Sequence, residues 1–157
     1  MAKNPAAAAV KPQASMLTEV WYGDTETDAA EQIFYVQEIP ALVTARDPIT
    51  YGGLESDEEM QAKGRRKAES ITMPVLYYEE QSDALAALAE SETVKWFFVK
   101  LPDATAATSG KPLVYKCQAT LDLSNDTISI DNMLQETVTL YKQGPVTRMK
   151  GLPGAGA

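Results

Sequence analysis

The 157-residue chain contains no histidine and a single cysteine, Cys117. The first absence removes Ser–His and Cys–His nucleophile pairs, imidazole acid/base catalysis and every histidine-containing metal site. One cysteine cannot close an internal disulfide or build a thiolate zinc cage. Positive charge is short as well: 14 Lys and Arg stand against 22 Asp and Glu, a net charge of −8. That balance argues against a protein whose main work is gripping phosphate backbones. Long apolar runs are missing too. The first fifteen residues, MAKNPAAAAVKPQAS, hold only Ala6 to Val10 as an apolar stretch, fenced by Pro5 and Pro12. This is shorter than the ~7–15 residue core of a secretory signal. No window reaches the ~18 apolar residues of a membrane helix. A soluble intracellular protein with no membrane insertion is expected, with one core-bearing domain.

What the chain does have is period-two alternation. Residues 17–22 (LTEVWY) and 31–39 (EQIFYVQEI) are rich in aromatic and β-branched residues and flank a polar stretch, 23–30. Two strands and a loop are expected there. In the second run Ile33, Tyr35 and Ile39 face one way and Phe34 and Val36 the other, the pattern of a strand covered on both sides. Residues 41–45 continue it beyond Pro40 as a short strand or bulge. Residues 69–78 (ESITMPVLYY) alternate again, and Pro74, which cannot donate to a ladder, marks an edge or a bulge. Residues 93–101 (TVKWFFVKL) make the most hydrophobic strand, and 102–111 a small-residue loop.

The cleanest alternation is 112–123 (PLVYKCQATLDL). Leu113, Tyr115, Cys117, Ala119, Leu121 and Leu123 share a dry face; Val114, Lys116, Gln118, Thr120 and Asp122 share a wet one,. Cys117 is therefore expected as a buried packing residue and not a reactive thiol. A last long run covers 127–142, in which Gln135, Thr137, Thr139 and Tyr141 oppose Leu134, Val138 and Leu140. A Gln143-Gly144-Pro145 turn separates it from 146–149. The period changes once: Ser82 can cap a helix over 82–91, where Leu85 and Leu88 share a face. That helix has too few large apolar residues for a core of its own and should lie against a sheet. Six or seven strands with one short helix predict a mainly β fold, an antiparallel sandwich or barrel-like domain over residues 16–149. Residues 1–15 and 150–157, rich in Ala, Pro and Gly, read as flexible tails.

No residue is assigned a catalytic role, because no phosphate loop, nucleophile elbow or zinc-protease signature occurs. The run Glu55-Ser-Asp-Glu-Glu59 lacks calcium-loop spacing and is followed by Lys and Arg,. Glu79, Glu80 and Asp83 sit where anions suit the positive end of a helix, and Asp122, Asp126 and Asp131 cluster around a turn. No metal ligand and no cofactor is assigned. The unusual segment is 46–68 (RDPITYGGLESDEEMQAKGRRKA), where periodicity disappears around Pro48, Gly52, Gly53 and Gly64. A structureless connection of about twenty residues is usually functional or disordered. Its charges are sorted, with Glu55, Asp57, Glu58 and Glu59 ahead of Lys63, Arg65, Arg66 and Lys67. It reads either as a solvated loop or as a docking arm, and composition alone favours the loop.

In order, the chain presents an aromatic strand ending in EIPALVTA, the acid-then-base loop ITYGGLESDEEMQAKGRRK and a strand ending in VLYY. The ALAALAES helix, the ETVKWFFVKLPD strand, the amphipathic YKCQATLDLS strand and the closing ETVTLYKQGPVT run follow. This succession, over residues 31–147, resembles the major tail tube proteins of long, non-contractile-tailed bacteriophages. The resemblance implies a β-sandwich with a flanking helix, six copies to a ring, and rings stacked into a hollow tube. Such a tube encloses a tape-measure protein, meets tail-tip and terminator proteins, and conducts double-stranded DNA. It implies a structural protein of the virion tail, assembled in the bacterial host cytoplasm, and not an enzyme. It also shifts the balance on the loop: Asp47, Tyr51, Glu55, Asp57, Glu58, Glu59, Lys63, Arg65, Arg66 and Lys67 become an expected inter-ring or inter-subunit docking loop. The wet faces supply candidate lumen residues, Gln118, Thr120 and Asp122 with Gln135, Thr137 and Thr139. The alternatives are another ring component, such as a tail terminator, and a monomeric β-rich binding module.

Overall fold

A computed structural model describes residues 18–102 and 112–153. The described residues form nine strands and one helix. In chain order these are β1 (Glu19–Gly23), β2 (Glu31–Ile33), β3 (Pro48–Tyr51), β4 (Met60–Lys63) and β5 (Ile71–Leu76). The helix α1 (Glu79–Ser91), β6 (Lys95–Lys100), β7 (Leu113–Asn125), β8 (Gln135–Lys142) and β9 (Thr147–Lys150) complete the list. The main sheet is antiparallel and runs β2-β1-β6-β7-β8-β5, with β9 also paired to β7; β3 and β4 form a separate hairpin. The expected mainly β, antiparallel, barrel-like architecture with one helix is what the chain adopts: a curled half-barrel. The expected tail 1–15, residues 154–157 of the expected C-terminal tail and the 103–111 part of the small-residue loop lie outside the described residues. The rest of the C-terminal tail is not loose, since Lys150 ends β9 and Gly151 N donates to Pro112 O.

The long strand β7 organises the sheet because its alternation is strict. Cys117, Ala119 and Leu121 are buried on one face and join Val20, Ile33, Ile71, Met73, Val75, Phe97, Val99, Val138 and Leu140 in the main core. β6 takes one edge of β7 from Val114 to Ala119. β8 and β9 share the other edge: β8 pairs Ala119–Asn125 and β9 pairs Leu113–Lys116. Between them the chain spends four residues, 143–146, opposite two of β7, with Gln143 N donating to Gln118 O at 2.8 Å. The expected Gln-Gly-Pro turn is thus a bulge within one continuous edge. The expected run 127–142 is strand only from Gln135; residues 127–134 loop out and expose Ile128, Ile130 and Met133.

Three further expectations are corrected. The run 31–39 is not one strand. It leaves β1 after Ile33, turns at Tyr35 with φ 61°, and pairs Val36 with Val75 on the far edge of β5. Gln37 N donates to Pro74 O (2.9 Å) and Leu76 N to Tyr35 O (3.1 Å). One stretch therefore touches both ends of the sheet and curls it, which is why both its faces carry apolar residues. The backbone of Pro74 faces this irregular edge and not β8, so its missing N–H takes no bond from the β5–β8 ladder,. Residues 41–45 form no strand; Leu42 packs on the core from an irregular segment.

The helix begins at Glu79, not Ser82. Its N-cap is Tyr78, with no side-chain cap bond, while Glu79 and Glu80 occupy the first turn and favour its positive end. Gln81 anchors it to the turn at Tyr35, accepting from Phe34 N (2.7 Å) and donating to Phe34 O (3.0 Å). Glu92 ends it in the left-handed region. As expected, the helix lies on the sheet, against β7, with Leu85 buried and Leu88 beside it.

Candidate functional site

The segment 46–68 is not structureless. Pro48–Tyr51 and Met60–Lys63 pair as a hairpin with Ile49 opposite Ala62 and Tyr51 opposite Met60. Side chains alternate across a strand, so Ile49, Tyr51, Met60 and Ala62 share one face, and Pro48, Thr50, Gln61 and Lys63 the other. Every residue of both strands is exposed, and the hairpin pairs with no other strand among the described residues. A lone two-stranded hairpin is marginally stable in water. This one is an arm held out from the sheet with an uncovered apolar face.

The sorted charges of the sequence become a spatial gradient along that arm. Residues 52–59 form the tip, where Gly53, Leu54, Glu55, Asp57, Glu58 and Glu59 are all exposed. Ser56 shapes the tip: its N–H donates to Gly53 O (3.1 Å), its hydroxyl donates to Glu58 O (3.0 Å), and Glu58 N donates back to that hydroxyl (3.3 Å). A Cβ on Gly53 would meet only the Glu55 carboxylate, the far end of an exposed side chain that can swing aside. Lys63, Arg65, Arg66 and Lys67 sit at the root. Gly64 N donates to Asp47 O (2.7 Å), and Lys67 makes a loose exposed ion pair with Asp47 (3.7 Å). Among the described residues no ion pair joins the tip acids to the root cations.

The second feature is the outward face of the sheet. The pairing sets Asp122 opposite Thr139, Ser124 opposite Thr137 and Thr120 opposite Tyr141, with Thr72 and Pro74 beyond Thr139 and Thr137. Gln118, Thr120, Asp122, Thr137 and Thr139 thus form one contiguous polar strip, and Gln135 extends it at the β5 end opposite Leu76. All six candidate residues share one face. Asp122 is exposed and the other five half-buried. Thr137 donates its hydroxyl to Asp126 (2.5 Å), and Asp122 accepts from Leu123 N (2.9 Å). Among these six residues Asp122 carries the one charge, and none is cationic.

The same face is dry at the other end of β7. Val114, expected to be wet, is fully buried with Phe98 and Ala29, under Trp21, Trp96, Met149 and Leu152. The loop 24–30 and the C-terminal segment cover this part, with Ala29 N donating to Pro153 O (2.9 Å). Where cations approach the face they are neutralised: Lys100 by Glu19 (3.1 Å) and Lys116 by Glu26 (3.5 Å). The sequence did not show this, because the cover comes from segments without periodicity.

Cys117 is buried as expected. Burial pushes its thiol up to about 11, with Lys142 pulling the other way. The folded chain therefore keeps a proton that the unfolded thiol loses near pH 9. This contribution to stability is full below that pH and is lost as pH rises towards 11. A thiol reagent such as Ellman's should find no reactive group in the native protein and one after denaturation, and the urea midpoint should fall between pH 9 and 11. No cluster of three or more Cys, Asp or Glu able to hold a metal occurs among the described residues, and no helix there is long and apolar enough to cross a membrane.

Known structures share this fold. A chain in the extended PVC sheath/tube terminator of an extracellular contractile injection system superposes with a TM-score of 0.69 at 15% identity. The match covers 90% of this chain and 99% of that one. The tube-terminating cap of the anti-feeding prophage gives 0.67 at 17% identity, covering 94% and 100%. A chain of the extended PVC sheath-tube complex gives 0.67 at 15%, covering 95% and 99%. The chain shares their fold. No family model and no curated protein matches the sequence. The expected likeness was to tubes of non-contractile tails, whereas these structures belong to contractile systems. Strand order, arm and helix describe the fold and do not encode whether a sheath surrounds it.

Proposed function

We propose that the chain is a tube-associated structural component of a phage-tail-like injection machine, and that it works as a ring at which the tube ends. The observation that carries this reading is the arm: a projecting hairpin with an uncovered apolar face and opposite charge at its two ends, on a fold shared with tube and terminator proteins. Such a hairpin gains its stability from a neighbour. Contact between two different surfaces of identical subunits generates closed rings or open filaments. Two of the similar structures are named for tube termination, which supports a terminal ring ahead of a repeating one. The repeating reading, hexameric rings stacked into a tube around a tape-measure protein, has its support in the likeness to a sheath-tube complex. In either case the partners are copies of itself and neighbouring tail proteins, and the setting is the assembled tail.

Negative-stain microscopy of the purified protein at high concentration tests this. Discrete rings are the expected result; long tubes would favour the repeating subunit, and a protein that stays monomeric would overturn both.

In this reading the polar strip faces the lumen and double-stranded DNA touches it only in transit. Hydroxyl and amide groups with one carboxylate offer phosphates no cation to bind, so any contact is weak. Replacing Asp122 by Lys should leave ring assembly unchanged and slow DNA passage from assembled particles, as followed by dye release. Unchanged ejection rates would place the strip on another surface.

A further inference from the structure

A cleft of about 440 Å³ opens at the root of the arm, between the irregular segment 42–44, residues 66–68 and the bulge 142–146. Its walls are apolar where Leu42, Val43 and Val146 line it, and cationic where Arg66, Lys67 and Lys142 do. No acidic side chain lines it. Three cations around an apolar floor call for an occupant with an apolar knob and several carboxylates.

The chain carries such a group. At the arm tip Leu54 is fully exposed, and Glu55, Asp57, Glu58 and Glu59 follow it within five positions. The bonds of Ser56 hold this tip as a turn, so little order has to be imposed on binding,. The tip cannot reach the cleft of its own chain. Strand β4 lies between Glu59 and Arg66 and, at a rise of ~3.3 Å per residue, holds the tip away from the root.

We propose that the acidic tip of one copy, led by Leu54, inserts into the Arg66–Lys67–Lys142 cleft of the next copy. This rests on the ring-forming reading above and names the surface that the arm meets. Each subunit offers one tip and one cleft, so the contact runs head to tail and every junction in a ring is the same. Opposite charge sets which ends meet. The loose Lys67–Asp47 pair, both partners exposed, leaves Lys67 available to exchange partners on docking.

Two charge-reversed variants test the contact. One carries Asp57→Lys, Glu58→Lys and Glu59→Lys in the tip; the other carries Arg66→Glu, Lys67→Glu and Lys142→Glu in the cleft. Each alone should give a folded monomer by circular dichroism and sedimentation velocity, with at least a tenfold loss of assembly. Mixed in equal amounts, they should assemble again, because a basic tip meets an acidic cleft and an acidic tip meets a basic one, in alternation. Wild-type assembly should weaken as salt rises. If the wild type assembles and the single variants assemble equally well, the tip–cleft contact is wrong and ring formation stands. The same conclusion follows if two folded variants stay monomeric when mixed. A wild-type protein that never assembles overturns the ring reading and this contact together.

Discussion

Replacing residues 48–63 by a short Gly-Ser linker is expected to leave the sheet folded and, on the ring-forming reading proposed above, to abolish ring assembly. The two ends of the arm already meet, since Gly64 N donates to Asp47 O at 2.7 Å, so a tight connection spans them without strain. The excised residues are exposed throughout the two strands, and none belongs to either core cluster. Removing them therefore gives up almost no apolar burial. A thermal melt should move by less than about 4 °C, the effect of roughly 1 kcal/mol in a domain of this size. Sedimentation velocity should show the monomer at every concentration where the wild type forms rings. Assembly that survives the excision would leave the arm without a role, and a much larger drop in Tm would make it part of the fold.

The arm also shows where the sequence was readable. Its charge order was plain in the residues and became a physical gradient from tip to root. Its strands were not plain, because each holds only four residues and alternation over two apolar positions is too short to register as a period. Pro48 and the Gly52–Gly53 pair looked like breakers of any structure, whereas Pro48 opens a strand and the glycines turn the hairpin. β7 was legible at once because Tyr115, Cys117, Ala119, Leu121 and Leu123 all meet one core, although Val114 is buried in the second cluster on the other face. Residues 31–39 were misjudged for the opposite reason. Their two apolar faces record a change of partner from β1 to β5, a tertiary event that no local pattern encodes. The polar strip could be named from β7 and β8 separately, and their register placed Asp122 beside Thr139. The cleft could not be foreseen, since Leu42, Arg66 and Lys142 come from three distant segments brought together by the bulge at 143–146.

The second large effect concerns the sheet itself. Phe97 and Phe98 are adjacent, point to opposite faces, and are both fully buried. Phe97 belongs to the main core, where its ring lies 5.9 Å from that of Tyr22, and its importance follows from position alone. Phe98 is the more informative residue. It sits on the face that becomes the exposed strip a few residues further along, and it packs with Ala29, Val114 and the partly buried Trp21, Trp96, Met149 and Leu152. Trp21 Nε1 is buried there with no hydrogen-bond acceptor among the described residues, a cost of about 1–3 kcal/mol that packing around Phe98 has to offset. Phe98→Ala should therefore cost about 3–5 kcal/mol, a large part of the ~5–15 kcal/mol that holds a domain together. Thr139→Ala, on the open part of the same face, should change stability by no more than about 0.5 kcal/mol. Urea unfolding of the two variants separates the cases: a strongly lowered midpoint for the first at an unchanged slope, and a wild-type midpoint for the second. Equal effects would mean that the outward face is uniform, either wholly covered or wholly wet. Unequal effects of this size would show one face in two halves, one sealed under the loop 24–30 and one open to solvent.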